Sequence, residues 1–380
     1  MARLRTLILL LLITLLSGLT VNAQDAASRT SWTCPPEIVE LVQSLPESDR
    51  VLNWYNWTTY EAEHTRADFG ELCGVTVNQD NFGSNEELIA KLRQGNPGYD
   101  LVVPTGSSVE QMVREGLLQP IDLSKIPNFA NISEPLTNPS YDVGNVYTVP
   151  YQWGTFGIGY NREAVGGDIS SWEAMWNYSG NVGWIEDPHA VLGLALHLMG
   201  EDPNTTDPDL IGAARDYLLD RGGNVRTIHN DDGQEKLLSG EVDIVMEFSG
   251  DIFQIMDGCE SNPEQNCAGK FNYIIPVEGT IRWMDNLAMP KDAPHPELAL
   301  AFMDYILDAQ VGADISNYTA YLTPNQKAID EALIDEALLS NPSVYPDEEV
   351  SERLFDVSDL GEATRLYNDA WTELKTLLGQ

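Results

Sequence analysis

With 380 residues and 43% hydrophobic content, the chain can bury substantial cores and is too long for one ordinary domain, so two lobes are expected. Asp and Glu number 59 against 21 Lys and Arg, a formal net charge of -38, which repels nucleic acid and anionic lipid and draws cations. A solvated acidic surface accounts for most of that charge; a cationic ligand is compatible with it.

The first segment is an address label. Arg3 and Arg5 precede an apolar run from Leu7 to Leu16, and Val21, Asn22 and Ala23 form a small-residue cleavage site before Gln24. This is the layout of a secretory signal peptide over residues 1–23. No Cys directly follows the cleavage point, which argues against a lipid anchor, and the run is short of the ~20 apolar residues a membrane span needs. A soluble, exported protein is expected. The cysteines agree: Cys259 and Cys267 flank the polar loop SNPEQN, where closure costs little, which leaves Cys34 to pair with Cys73. With no Cys-x-x-Cys and no clustered His, no metal site is expected. His64, His189, His197, His229 and His295 are scattered, and His189 alone lies beside candidate site residues.

Val51 to Tyr55 reads as a strand running into the loop of LNWYNWTTY at 52–60. Tyr55, Trp57 and Tyr60 offer π faces and Thr58 and Thr59 offer hydroxyls, an inventory suited to a ligand with methylene surface and positive charge. Glu86 to Gln94 reads as a helix opened by Ser84 or Asn85, Asp100 to Val103 as a strand, and Val109 to Glu115 as a helix. Pro150, Gly154, Gly157 and Gly159 mark a junction in which Tyr151 to Tyr160 can run from one lobe to the other. The alternation resumes at Trp172, with helices at Val191 to Met199 and Leu210 to Leu219 and a buried strand at Val242 to Phe248. A second strand pair is expected at Tyr273 to Pro276 and Trp283 to Pro290. Helices fill Glu297 to Leu307, Asp330 to Leu339 and Ala363 to Leu378. This rhythm is α/β, and ligands of open α/β sheets sit beyond the carboxyl ends of strands.

Five strand-end loops carry the side chains of an amine site: Trp57, Thr58 and Tyr60; Thr105, Gly106, Ser107 and Ser108; Glu186 and Asp187; Phe248, Ser249 and Asp251; Trp283 and Asp285. A buried ammonium needs an ionic partner, and an aromatic face beside that partner adds roughly 0.5 to 2 kcal/mol of cation–π attraction. Taken singly, Glu186 and Asp187 can instead cap a helix, and Asp251 can cap a segment beginning at Ile252.

The segments YNWTTY (55–60), SNEELIAKL (84–92), YDLVVPTG (99–106), VPYQWGTFGIGYN (149–161), SWEAMW (171–176), FSGDIFQ (248–254) and WMDNLAMP (283–290) together resemble the periplasmic polyamine-binding proteins, the spermidine and putrescine receptors of ABC importers. The resemblance runs from about Val51 to the C-terminus. It implies an α/β, type II periplasmic binding protein fold with two lobes and a ligand cleft between them. Lobe one would hold residues 48–154 and 284–329, and lobe two residues 155–283 and 330–380. It further implies cleft roles for Trp57, Thr58, Tyr60, Ser107, Asp187, Phe248, Asp251, Trp283, Asp285 and Tyr321. Phe248 stands where relatives carry a Trp that stacks on the alkyl chain.

Two positions depart from the family pattern. The acid that follows the first Thr in relatives is Thr59 here, and the acid three residues beyond Asp187 is Ala190. Glu247 can compensate only if strand alternation turns it inward. The expected function is therefore a monomeric, cofactor-free periplasmic receptor that captures putrescine or spermidine and delivers it to an ABC permease in the inner membrane. The lobes would close on a hinge near Gly154 and Trp283. Within the class, the alternative is another small organic cation. In a different class, a secreted hydrolase would use Glu186 with Asp187 or Asp251 with Asp285 as an acid pair, or Ser107 or Ser108 as nucleophile. No Gly-x-Ser-x-Gly frames those serines and no His is placed to activate them. Five Asn-x-Ser/Thr sequons, at Asn56, Asn131, Asn177, Asn204 and Asn317, carry no meaning in a bacterial periplasm.

Overall fold

The computed structural model describes residues 26, 29–230 and 232–380; the expected signal peptide lies outside them. No described helix is long and apolar enough to cross a membrane. The strands are β1 (Val51–Asn56), β2 (Thr76–Asn81), β3 (Leu101–Val102), β4 (Thr148–Asn161), β5 (Val182–Ile185), β6 (Val225–His229), β7 (Ile244–Phe248), β8 (Phe271–Ile274), β9 (Thr280–Ala288) and β10 (Leu354–Asp356). Their order is β2-β1-β3-β9-β4-β7-β5-β6, with β10 on β9 and β8 on β4.

Two parallel half-sheets, one built on β1 and the other on β5, are joined through antiparallel β4 and β9. The first part of β4, Thr148–Thr155, pairs with β9, and the rest pairs with β7 and β8. One strand therefore serves both half-sheets, and two of the three lobe boundaries read from the sequence, 154/155 and 283/284, fall inside β4 and β9. Nearly every β4 residue is buried, which removes the polar–apolar alternation of a half-exposed strand. A Cβ on Gly154 would lie 2.7 Å from Trp283 Cζ2, so glycine lets the indole rest against the β4 backbone. Each lobe has its own core, one around Trp54, Phe69 and Phe302, the other around Trp172, Trp184 and Trp371.

Several expected elements are corrected. Asp330 to Leu339 is not one helix: Gln326–Asp330 ends, Ala332 takes a left-handed φ of 55°, and Glu336–Leu339 starts again. The break lets Ile334 turn inward against Ala309, Ala313 and Ala328, burial that outweighs a few helical hydrogen bonds. The segments at 273–276 and 283–290 do not pair with each other; β8 and β9 both pair with β4. Asp251 is not an N-cap, because its helix is Ser249–Ser261 and Phe248 holds the cap position. Tyr55 is a core residue, its ring stacked on Tyr99 at 4.4 Å.

Both expected disulfides form, Cys34–Cys73 and Cys259–Cys267. The first staples the N-terminal arm, whose Trp32 packs on Phe69 and Tyr305, onto helix Thr65–Cys73. With its cysteines 39 positions apart in sequence against 8 for the second, the chain-entropy rule gives about 4 kcal/mol against roughly 2.5 kcal/mol. Chemical denaturation of the double variants is expected to follow that order, Cys34→Ser/Cys73→Ser losing more than Cys259→Ser/Cys267→Ser. The reverse order would show that the arm adds little.

Candidate functional site

The carboxyl ends of β1, β3, β5 and β7 open on one cleft, and all ten residues expected there line it: Trp57, Thr58, Tyr60, Ser107, Asp187, Phe248, Asp251, Trp283, Asp285 and Tyr321.

The deep end is built by aromatics. Trp57 leaves β1 with its Nε1 donating to Val103 O at 2.9 Å and its ring against Phe82. Thr59 takes a left-handed φ of 46°, and this tight turn sends the chain back so that Tyr60 faces the cleft. The Tyr60 carbonyl accepts from Tyr151 Oη at 2.5 Å and Gln152 Nε2 at 3.1 Å. The Trp283 ring meets Tyr321 at 5.0 Å and Phe248 at 5.6 Å, both edge to face, and Tyr60 meets Tyr321 at 5.3 Å. These four rings form a cage.

Two carboxylates sit in that cage, each only 5% exposed. Asp251 Oδ2 accepts from Tyr321 Oη at 2.6 Å and Oδ1 from Thr59 Oγ1 at 3.4 Å. Burial pushes the Asp251 carboxyl up to about 6 despite both hydroxyls. Burial likewise pushes Asp285 up to about 7, offset only in part by the Thr105 and Tyr60 hydroxyls. Asp285 Oδ1 is buried with no hydrogen-bond partner. A buried acceptor without a donor, walled by π faces, calls for a cationic N–H group.

The outer end is also acidic. Asp187 caps helix Pro188–Met199, accepting from Ala190 N at 2.9 Å, and its pKa is raised by burial first, against the pull of the helix amides. Glu186 is already engaged, accepting from Lys375 Nζ at 2.5 Å and Trp371 Nε1 at 2.8 Å. Ser107 stands in the first turn of helix Gly106–Arg114. His189 is driven down to about 4 by burial and is neutral at neutral pH. Glu247 does not turn inward: it is fully buried, with Oε1 accepting from Phe248 N and Oε2 3.8 Å from His229 Nδ1. The compensation allowed for Glu247 therefore does not occur.

Sequence reasoning missed Glu86, Asn230, Asp359 and Tyr367, which also line the cleft. Arg114 of the first lobe forms an ion pair with Asp359, which precedes the second-lobe helix Thr364–Leu378. Glu86 is hidden because β2, TVNQDN, has no apolar alternation, so the loop after it does not register as a strand end. Asp359 comes from a C-terminal segment far from any motif.

A family model described as bacterial extracellular solute-binding protein matches residues 65–341. The chain is 34% identical over 344 residues to a putrescine-binding periplasmic protein of Pseudomonas aeruginosa, covering 86% of this chain and 92% of that protein. It is 32% identical over 333 residues to a spermidine/putrescine-binding periplasmic protein of Escherichia coli, covering 87% and 92%. Among solved structures, the spermidine/putrescine ABC transporter substrate-binding protein of Streptococcus pneumoniae aligns with a TM-score of 0.72 at 29% identity, covering 87% of this chain and 100% of that one. The two lobes and their cleft are thus a periplasmic binding protein fold, and the hydrolase alternative falls: the chain belongs to the bacterial extracellular solute-binding proteins, a family of receptors rather than enzymes.

Proposed function

We propose that this receptor works in the periplasm as a monomer, captures a polyamine (putrescine or spermidine) and delivers it to an ABC permease in the inner membrane. The observation that carries this reading is Asp285, a buried carboxylate with an unpartnered Oδ1, set beside Asp251 inside the cage of Tyr60, Phe248, Trp283 and Tyr321. The named ligands of its relatives, putrescine and spermidine, match that chemistry. In this reading Asp251 and Asp285 hold one ammonium group, the rings cover the adjoining methylenes with Trp57, and Thr58 and Ser107 offer hydroxyls. Asp187 faces the outer part of the ligand. The lobes, 48–154 with 284–329 and 155–283 with 330–380, close by flexing β4 and β9 near Gly154 and Trp283. A ligand touching both lobes shifts that equilibrium toward the closed form.

Thermal shift tests the reading. Putrescine, spermidine, choline, arginine and lysine are compared at equal concentration, and a ligand at a hundred times its dissociation constant stabilises by about 2.7 kcal/mol. A polyamine is expected to raise the melting temperature most. If choline or a basic amino acid does so while both polyamines leave it unchanged, the receptor serves another organic cation. That second reading is favoured by one feature, the absence of acids at Thr59 and Ala190.

A further inference from the structure

A β-bulge lies behind the cage. Pro150 pairs with Asn286 and Gln152 with Asp285, so Tyr151 is an extra residue on β4 against a single step of β9. Successive side chains of a regular strand face opposite sides of the sheet, and a bulge re-aims one of them. Here the two successive side chains, Tyr151 and Gln152, both donate to one acceptor, the Tyr60 carbonyl. Gln152 is also the cross-strand partner of Asp285, and directly opposed residues of an antiparallel pair share one face of the sheet.

The other end of the Gln152 amide reaches the second tyrosine of the cage. Its Oε1 accepts from Thr319 Oγ1 at 2.6 Å. Thr319 ends helix Ala309–Thr319, Ala320 turns the chain with a left-handed φ of 56°, and Tyr321 leaves that turn with its N donating to Thr319 Oγ1 at 3.4 Å. Tyr321 Oη in turn donates to Asp251. Gln254, on the helix that carries Asp251, donates to Thr319 O at 3.2 Å. Gln152 and Thr319 are both buried, so water does not compete for these bonds. The donor and acceptor of one side-chain amide thus tie the Tyr60 loop to the turn before Tyr321.

Resting on the polyamine reading, we propose that Gln152 is a positioning residue for the ammonium site. Without touching the ligand, it fixes Tyr60 and Tyr321 relative to each other and to Asp285, so this wall of the cage stands formed before a ligand arrives. The entropy of ordering those rings is then lost on folding and not on binding, which strengthens binding. No motif flags the residue. Gln152 lies in a strand that is buried along nearly its whole length, and its two partners are 92 and 167 positions away in sequence.

Gln152→Met keeps the shape of the side chain and removes both bonds. Every group it releases retains a partner: Tyr60 O accepts from Tyr151 Oη, Thr319 Oγ1 donates to Ile315 O at 2.9 Å, and Tyr321 O accepts from Ser316 Oγ at 2.5 Å. The variant is therefore expected to fold. Calorimetric titration with putrescine and spermidine compares it with the wild type, Thr319→Val, Thr319→Ser, the double variant Gln152→Met/Thr319→Val, and Thr148→Val. The last removes a buried hydroxyl, bonded to Asp142 Oδ2 at 2.7 Å, from the start of the same strand. Gln152→Met and Thr319→Val are each expected to weaken the better-bound polyamine by roughly threefold to tenfold, the range of one neutral hydrogen bond. The double variant should bind no more weakly than the weaker single variant, because either change breaks the whole tie. Thr319→Ser, which keeps the hydroxyl, and Thr148→Val should stay within about twofold of the wild type. Wild-type affinity in Gln152→Met overturns the inference and leaves the receptor reading standing. So does a double variant that loses the product of the two single effects, or an equal loss in Thr148→Val, which marks a general loosening of β4. If the wild type binds neither polyamine, the polyamine reading and this inference fall together.

Discussion

Replacing Asp285 with Asn is expected to weaken amine binding by about 2 to 5 kcal/mol while making the ligand-free protein more stable at pH 8. The first effect follows from removing one member of a desolvated charge pair, which leaves the ligand ammonium without its ionic partner. The second follows from the cost of keeping this carboxylate ionised where it is. Its pKa rises from the ordinary 3.8 to about 7 because burial disfavours the charged form. Between those values the folded protein holds a proton that the unfolded chain has lost, so stability falls as pH climbs from about 4 through about 7. Across that interval the linkage amounts to roughly 4 kcal/mol at most, and a neutral amide of the same shape recovers about 2 to 4 kcal/mol. Urea denaturation at pH 8 without ligand, alongside calorimetric titration of spermidine and putrescine, reads both quantities. Opposite signs identify a binding carboxylate held at the expense of stability. Lower stability with normal affinity would mean that Asp285 is a structural group.

Amine affinity is expected to rise steeply from pH 5 to pH 8 and then level off. Without ligand, Asp285 and Asp251 titrate near 7 and 6 because burial opposes their ionisation. An alkylammonium with a pKa of about 10 stays charged over this whole range and favours the ionised carboxylates, so binding expels the protons these groups carry. Affinity is therefore full above about pH 7 and declines as protons compete below it, by on the order of a hundredfold at pH 5 from Asp285 alone. Asp251 and Asp187, both raised by burial, act in the same direction. His189 lies near 4 and stays neutral over most of the range. Titrations near pH 6 in two buffers of different ionisation enthalpy count the protons released, with more than half a proton per ligand expected. A flat profile with no proton release would show that the ligand does not touch these acids.

The architecture is legible where physical chemistry acts locally. The α/β alternation, the strand ends as loop sites, and the pairing Cys259–Cys267 depend on periodicity and short loops. The ten cleft residues, nine of them read at strand ends and Tyr321 placed by resemblance alone, do converge on one cavity. Where the reading failed, a longer-range force had overruled a local preference. The expected helix at 330–339 breaks at Ala332 so that Ile334 can be buried. The edge strand β2 shows no apolar pattern because only one of its six residues is buried, and with it went the loop that carries Glu86.

Residue types and spacing alone therefore determine that this chain is an α/β protein with aromatics and acids at successive strand ends, and with cysteines placed to form two bridges. Only the tertiary structure decides which acids face one another. It turns Glu247 into the protein toward His229, satisfies Glu186 with Lys375, and leaves Asp285 Oδ1 unpartnered in the cage. It also brings Glu86 and Asp187, far apart in the chain, to one cleft. The charge on a carboxylate is written in the sequence, but its burial and its partners depend on segments brought together by folding, and those set its pKa and its use.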